Sequence, residues 1–185
     1  MRTIFLAVLA AFTLAAGLAT PVSASADIAG LEFGQIGYNA YGPDRPWNRN
    51  QEFIDIRNGG AEPVDVKGLR VEDAWAHGRG DGAGQCNHYT ITALPGVPEV
   101  DGKILLAPNH TVRVYAGTGT PAVFGTDSTF HAVYMNHPTM CGYYGHFLNN
   151  TAQKDRGAPW DTVWMTVGGS SESRSYNFSR GYTVN

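Results

Sequence analysis

The side chains able to do chemistry are six histidines (His77, His88, His110, His131, His137, His146), two cysteines (Cys86, Cys141) and two close carboxylate pairs, Glu72-Asp73 and Glu52 with Asp55. Metal-assisted hydrolysis asks for histidines at spacings such as H-E-x-x-H, and no such run occurs. The histidines are expected scattered over strands and loops, as surface or cap residues, with no metal or other cofactor. Cys86-Asn87-His88 and Cys141 with His146 offer soft ligands, but zinc sites use paired C-x2-C or H-x3-H spacing. A disulfide between Cys86 and Cys141 is the expectation. It would close a loop of about 55 residues and contribute roughly 3–4 kcal/mol. Calcium needs a dense run of oxygen ligands, which Asp81-Gly82 alone does not supply.

Nucleophilic catalysis needs a Ser or Cys held by a base, often on a strained turn. No G-x-S-x-G occurs, and Gly168-Gly169-Ser170-Ser171 reads as a turn between strands. Neighbouring carboxylates on a strand face opposite ways, so Glu72-Asp73 is a poor acid–base pair. Such charges are expected solvated or paired with Arg57 or Arg70. No catalytic residue is therefore assigned. A small hydrolase assembled from scattered His and carboxylates stands as the alternative. Arg79-Gly80-Asp81 spells an adhesion tripeptide inside a glycine-rich loop, where chance explains it.

Aromatic residues offer a binding chemistry instead. Tyr41, Trp47, Trp75 and Trp160 fall in or beside expected loops, where flat rings stack on sugars or anchor a protein partner. Anchoring a loop to the core is the competing use of such rings, and the commoner one.

The elements that must position these residues are strands. Leu31 to Tyr38 alternates and then shifts phase at Ile36, which suggests a bulge. Glu52, Ile54 and Ile56 share one strand face while Phe53, Asp55 and Arg57 share the other. Further short strands are expected at Val64–Val66, Leu69–Glu72, His88–Thr92, Lys103–Leu106, Thr111–Ala116, Tyr143–Leu148, Thr162–Val167 and, last, Ser173–Phe178. Residues 93–102 and 122–140 read as irregular. Closely spaced strands with many turns predict an all-β fold, a sandwich or barrel.

Composition narrows the class. Residues 1–26 follow the plan of a secretory signal: Arg2, an apolar run from Ile4 to Leu18, then Ala24-Ser25-Ala26. A mature chain from Asp27 would hold 159 of the 185 residues as one domain, with a formal charge of −4 instead of −3. No later apolar run is long enough to span a membrane. With only three lysines and scattered arginines, nothing suggests a phosphate-neutralising nucleic-acid binder.

Glu52-Phe53-Ile54-Asp55-Ile56-Arg57-Asn58, followed by Glu62-Pro63-Val64-Asp65-Val66-Lys67-Gly68-Leu69, resembles the signature of the lamin tail domain family. Leu106-Ala107-Pro108-Asn109 with Val112-Arg113-Val114-Tyr115-Ala116-Gly117-Thr118-Gly119 is similar to a second element of that family. Leu148-Asn149-Asn150 with Asp161-Thr162-Val163-Trp164-Met165 is similar to a third. The matches keep the family's order across residues 31–178, with Phe147-Leu148 where the family has a Trp before Asn-Asn. The resemblance implies an immunoglobulin-like β-sandwich of the secreted bacterial type. It also implies a binding or structural surface for an extracellular or cell-wall partner, and not a catalytic centre.

Overall fold

Alternation builds the strands. In the computed structural model, which describes residues 28–38, 48–77, 87–136, 147–148, 160–177 and 183–184, thirteen strands account for nearly all regular structure. They are β1 (Leu31–Gly37), β2 (Phe53–Asn58), β3 (Val64–Asp65), β4 (Arg70–Asp73), β5 (His88–Thr90), β6 (Glu99–Val100) and β7 (Lys103–Leu106). They continue with β8 (Thr111–Tyr115), β9 (Ala122–Phe124), β10 (Phe130–Tyr134), β11 (Trp160–Val167), β12 (Ser170–Asn177) and β13 (Thr183–Val184). One turn of 3-10 helix, Arg49–Gln51, precedes β2. Among the described residues no helix is long and apolar enough to cross a membrane.

The strands form a six-stranded sheet in the order β13-β1-β2-β8-β10-β9 and a four-stranded sheet in the order β12-β11-β4-β5. A small third sheet runs β3-β7-β6. The fold is an all-β sandwich. Ile54, Ile56, Val112 and Val114 from the large sheet meet Val71, Val163 and Met165 from the four-stranded sheet in one core. Leu106 and Ile104 of β7 close it. Odd residues of β11 face this core and even residues face out, as a period of two requires.

The phase shift in β1 is a register break between Phe33 and Ile36 against β2. A bulge leaves carbonyls unpaired in the ladder, and Arg174 of β12 reaches across the sandwich to use them. Its Nη1 donates to Phe33 O and Gly34 O, each at 2.9 Å. Bulge and arginine together tie one sheet to the other.

Three expectations need correcting. Residues 122–140 are not irregular: β9 and β10 lie there, and β10 runs parallel to β8 from Phe130↔Thr111 to Tyr134↔Tyr115. The alternation was hidden because both faces of β10 are covered, His131 and Val133 inward and Ala132 outward, all buried. Residues 93–102 carry β6, which pairs with β7, and a Leu94↔Val97 bridge. Ser170–Asn177 is not the last strand, since Thr183–Val184 pairs with β1. Of the strand expected at 143–148 only Phe147 and Leu148 are described; both are buried bends.

Candidate functional site

The outer face of the four-stranded sheet gathers the chemistry the core does not use. Trp160, Thr162, Trp164 and Thr166 of β11 point outward because Val163, Met165 and Val167 are buried on the other side. Opposite them on β12 stand Asn177, Ser175, Ser173 and Ser171. The result is a ladder of hydroxyl and amide groups, with Thr162 Oγ1 and Ser175 Oγ 2.9 Å apart. Trp160 and Trp164 lie four residues apart on one strand, a spacing of about 13 Å.

On the opposite flank, β4 places Glu72 beside Trp164 and Arg70 beside Thr166. Glu72 is 3% exposed and fully engaged. Arg70 Nε donates to its Oε2 at 2.8 Å, and His77 Nδ1 lies 2.9 Å from its Oε1. Thr166 Oγ1 makes a longer contact to Oε1, at 3.4 Å. His77 is delivered by the turn after β4, which Asp73 organises: its Oδ1 accepts the Ala76 N–H at 2.8 Å and its carbonyl accepts the His77 N–H at 3.1 Å. The imidazole then stacks on Trp164, ring centres 3.7 Å apart and planes within 7°. Carboxylate, imidazole and indole thus hold one another in a fixed orientation, with charged hydrogen bonds on one side and ring stacking on the other.

Trp75, at the apex of that turn, is 53% exposed, and Trp160 is 58% exposed. Both are more than half exposed. Tyr41, Trp47, Cys86, Cys141, His137, His146 and Arg79-Gly80-Asp81 lie outside the described residues.

On the inner side of the same strands, Asp73 is buried. Burial pushes its carboxyl up to about 7, against the lowering effect of the Ala76 N–H and the Asn87 amide, and the nearby Asp161 charge adds to the rise. Asp161 Oδ2 accepts the Tyr176 hydroxyl at 3.2 Å.

The expectation of scattered surface or cap histidines fails for His131, which is buried within β10 and meets His110. His131 is 2% exposed, and His110 Nδ1 lies 3.0 Å from His131 Nε2. His131 Nδ1 donates to Pro95 O at 2.8 Å. The neutral pair therefore has His110 Nδ1–H donating to His131. Burial lowers the His131 pKa; the Pro95 carbonyl opposes that shift and the His110 charge reinforces it. Among the described residues no three His, Cys, Asp or Glu side chains converge to hold a metal ion.

The carboxylates find partners, though not all the expected ones. Glu72 pairs with Arg70 as anticipated. Asp55 instead takes a bidentate pair from Arg113, Nε to Oδ1 at 2.6 Å and Nη2 to Oδ2 at 2.7 Å. Glu52 is buried beside Arg49 at 3.9 Å. Sequence reasoning did not single out Trp164 as a site residue. Its signal was present, since strict alternation aligns Trp160, Thr162, Trp164 and Thr166 on one face.

No protein-family model matches the chain, and no curated protein matches it. The functional reading rests on the geometry of this face and on the motifs quoted above.

Proposed function

We propose that the chain is a secreted, non-enzymatic binding module, an immunoglobulin-like sandwich of the lamin-tail type, that holds an extracellular or cell-wall glycan on the outer face of its four-stranded sheet. The observation that carries this reading is that face itself: exposed Trp160, the stacked Trp164–His77 pair, and a flanking ladder of Ser171, Ser173, Ser175 and Asn177. Aromatic faces cover the apolar faces of sugar rings while short hydroxyl and amide side chains exchange hydrogen bonds with their hydroxyls. Glu72 and Arg70 are already satisfied by each other, so binding would not strand a charge. A disulfide between Cys86 and Cys141 belongs to the same reading and suits an oxidising compartment.

Co-sedimentation of the purified protein with insoluble cell-wall polysaccharide, at low and high salt, tests this. Salt-resistant retention that Trp160→Ala reduces at least tenfold is expected. Retention unchanged in both Trp160→Ala and Trp75→Ala would overturn it.

The second reading, a small hydrolase, draws on the buried Asp73, whose carboxyl burial pushes up to about 7, with the nearby Asp161 charge adding to the rise. One of two such carboxyls can give a proton while the other takes one. Turnover of a polysaccharide or ester substrate, abolished by Asp73→Asn, would favour it over the binding module.

A further inference from the structure

The edges of the sheets differ in length. β5 and β9 have three residues each and β13 two, whereas β12 presents eight residues, Ser170 to Asn177, and among the described residues it pairs on one side only. Long free edges are where chains add to one another. Short strands, Pro, bulges and charged side chains usually protect such an edge, and the two charges of β12, Glu172 and Arg174, are of opposite sign and so do not repel a second copy placed antiparallel. Ser-Ser-Glu-Ser-Arg-Ser-Tyr-Asn has no Pro or Lys, and its register with β11 is unbroken over all eight pairs.

The hydrogen-bonding side of this edge follows from the turn before it. Gly168 and Gly169 have φ of +55° and +88°, the mark of a two-residue type I′ hairpin. In such a hairpin the pair nearest the turn, Val167↔Ser170, is hydrogen-bonded, and pairs alternate from there. Ser170, Glu172, Arg174 and Tyr176 therefore turn their amides toward β11. Ser171, Ser173, Ser175 and Asn177 turn theirs outward.

We infer that β12 pairs antiparallel with β12 of a second copy of this chain, about a two-fold axis at Ser173, joining the four-stranded sheets of the two protomers into one continuous eight-stranded sheet. The sequence is self-complementary in that register. Ser173 opposes Ser173, Ser171 opposes Ser175, and Glu172 opposes Arg174 twice over, on the same face of the sheet. Opposite charges directly across a strand pair stabilise it and like charges oppose it. Glu172 is exposed and has no partner among the described residues, so its charge is available. Arg174 keeps Nε and Nη2 beyond the bonds that Nη1 makes to β1. Two-fold pairing of one patch with itself closes the assembly and leaves no free long edge to propagate. It would also bring the two hydroxyl ladders side by side.

Sedimentation of the purified protein across the micromolar range tests this independently of any ligand. A concentration-dependent dimer is expected. Ser173→Pro should weaken it at least tenfold with the far-UV spectrum unchanged, because the lost amide faces away from β11 and Pro is tolerated at such positions. Should that variant fail to fold, Glu172→Arg serves, since it removes no contact among the described residues and sets Arg against Arg. E172R and R174E should each be monomeric, and their equimolar mixture should dimerise, because every crossed pair is then of opposite charge. A wild-type monomer throughout the range would overturn the proposal, as would a dimer indifferent to Ser173→Pro and Glu172→Arg.

Discussion

The two outward faces of the sandwich are built by the same alternation and end in opposite states. On the six-stranded sheet, Asp55 and Arg113 stand directly opposite each other and form a bidentate pair. The guanidinium lies over Phe53 at 3.7 Å and Phe130 at 4.9 Å. Tyr115 stacks on Tyr134 with centres 5.0 Å apart. Gly37 and Gly119 let this layer lie close to the backbone, since a Cβ on either would come within 2.5 Å of the Phe53 or Tyr134 ring. Polar and aromatic groups there satisfy one another. On the four-stranded sheet, the Glu72 cluster is closed and Thr162 meets Ser175, while Trp160, Ser171 and Ser173 are exposed among the described residues. A face is more available to a ligand where fewer of its cross-strand neighbours are each other's partners.

That contrast is broken most severely at Asp55. Asp55→Ala leaves the Arg113 side chain, 20% exposed, without its carboxylate, and removing one member of a buried pair costs about 3 kcal/mol or more. Thermal unfolding should fall by roughly 6–12 °C for a chain of this size. A loss no larger than that of an ordinary surface substitution would mean that the closed face contributes little.

The next effect depends on pH and separates the interior of one sheet from that of the other. Asp73, with its folded pKa raised from 3.8 to about 7, stays protonated in the native state where the unfolded chain has released its proton. Its contribution to stability is therefore greatest below about pH 3.8, declines as pH rises to about 7 and is flat above. His131, on the six-stranded sheet, has its pKa lowered from 6.5. Its contribution is full above that value and is lost as the pH falls below it. Asp73→Asn should gain on the wild type by about 2 kcal/mol between pH 4.5 and pH 7.5 in denaturant midpoints, the lower range of what such a shift implies. His131→Asn should instead flatten the acid limb. A difference for Asp73→Asn that does not change with pH would show that Asp73 titrates normally.

Much of this was legible before any coordinates. The alternation of β2, β4, β8 and β11 placed Ile54, Ile56, Val71, Val112, Val114, Val163 and Met165 inward, and the phase shift in β1 marked its bulge. The asparagine that ends β2 also has a physical account. Asn58 is buried, and its Nδ2 donates to Glu62 O at 2.8 Å and Leu106 O at 2.9 Å. Its Oδ1 accepts the Gly60 N–H at 2.9 Å. One side chain joins the turn after β2 to β7. What was not legible is cross-strand. That Asp55 meets Arg113 depends on β2 pairing with β8, 58 residues on. That His110 meets His131 depends on the parallel pairing of β8 with β10. Local spacing carries no record of a non-local register.

A smaller effect is expected at Glu72. Glu72→Gln keeps the shape of the side chain but weakens the charged bonds to Arg70 and His77, for a loss of about 1–2 kcal/mol. The stack of His77 on Trp164 should loosen with it, which Trp164 fluorescence in a variant lacking the other three tryptophans would report. Indifference of both stability and fluorescence would mean that stacking alone fixes the imidazole.

The smallest change in stability, and the largest change in function, should coincide at Trp160. Its ring is more than half exposed, at the first position of β11, opposite Asn177 and away from the core. Removing it forfeits little burial, so Trp160→Ala should stay within about 0.5 kcal/mol of the wild type. The same variant should lose most of its retention on cell-wall polysaccharide. A ring that anchored the start of the strand would give the reverse, a large fall in thermal unfolding with binding intact. The ratio of the two effects therefore decides whether the open face is open for a ligand. Asp55→Ala supplies the opposite extreme: a large loss of stability on a face that already satisfies itself.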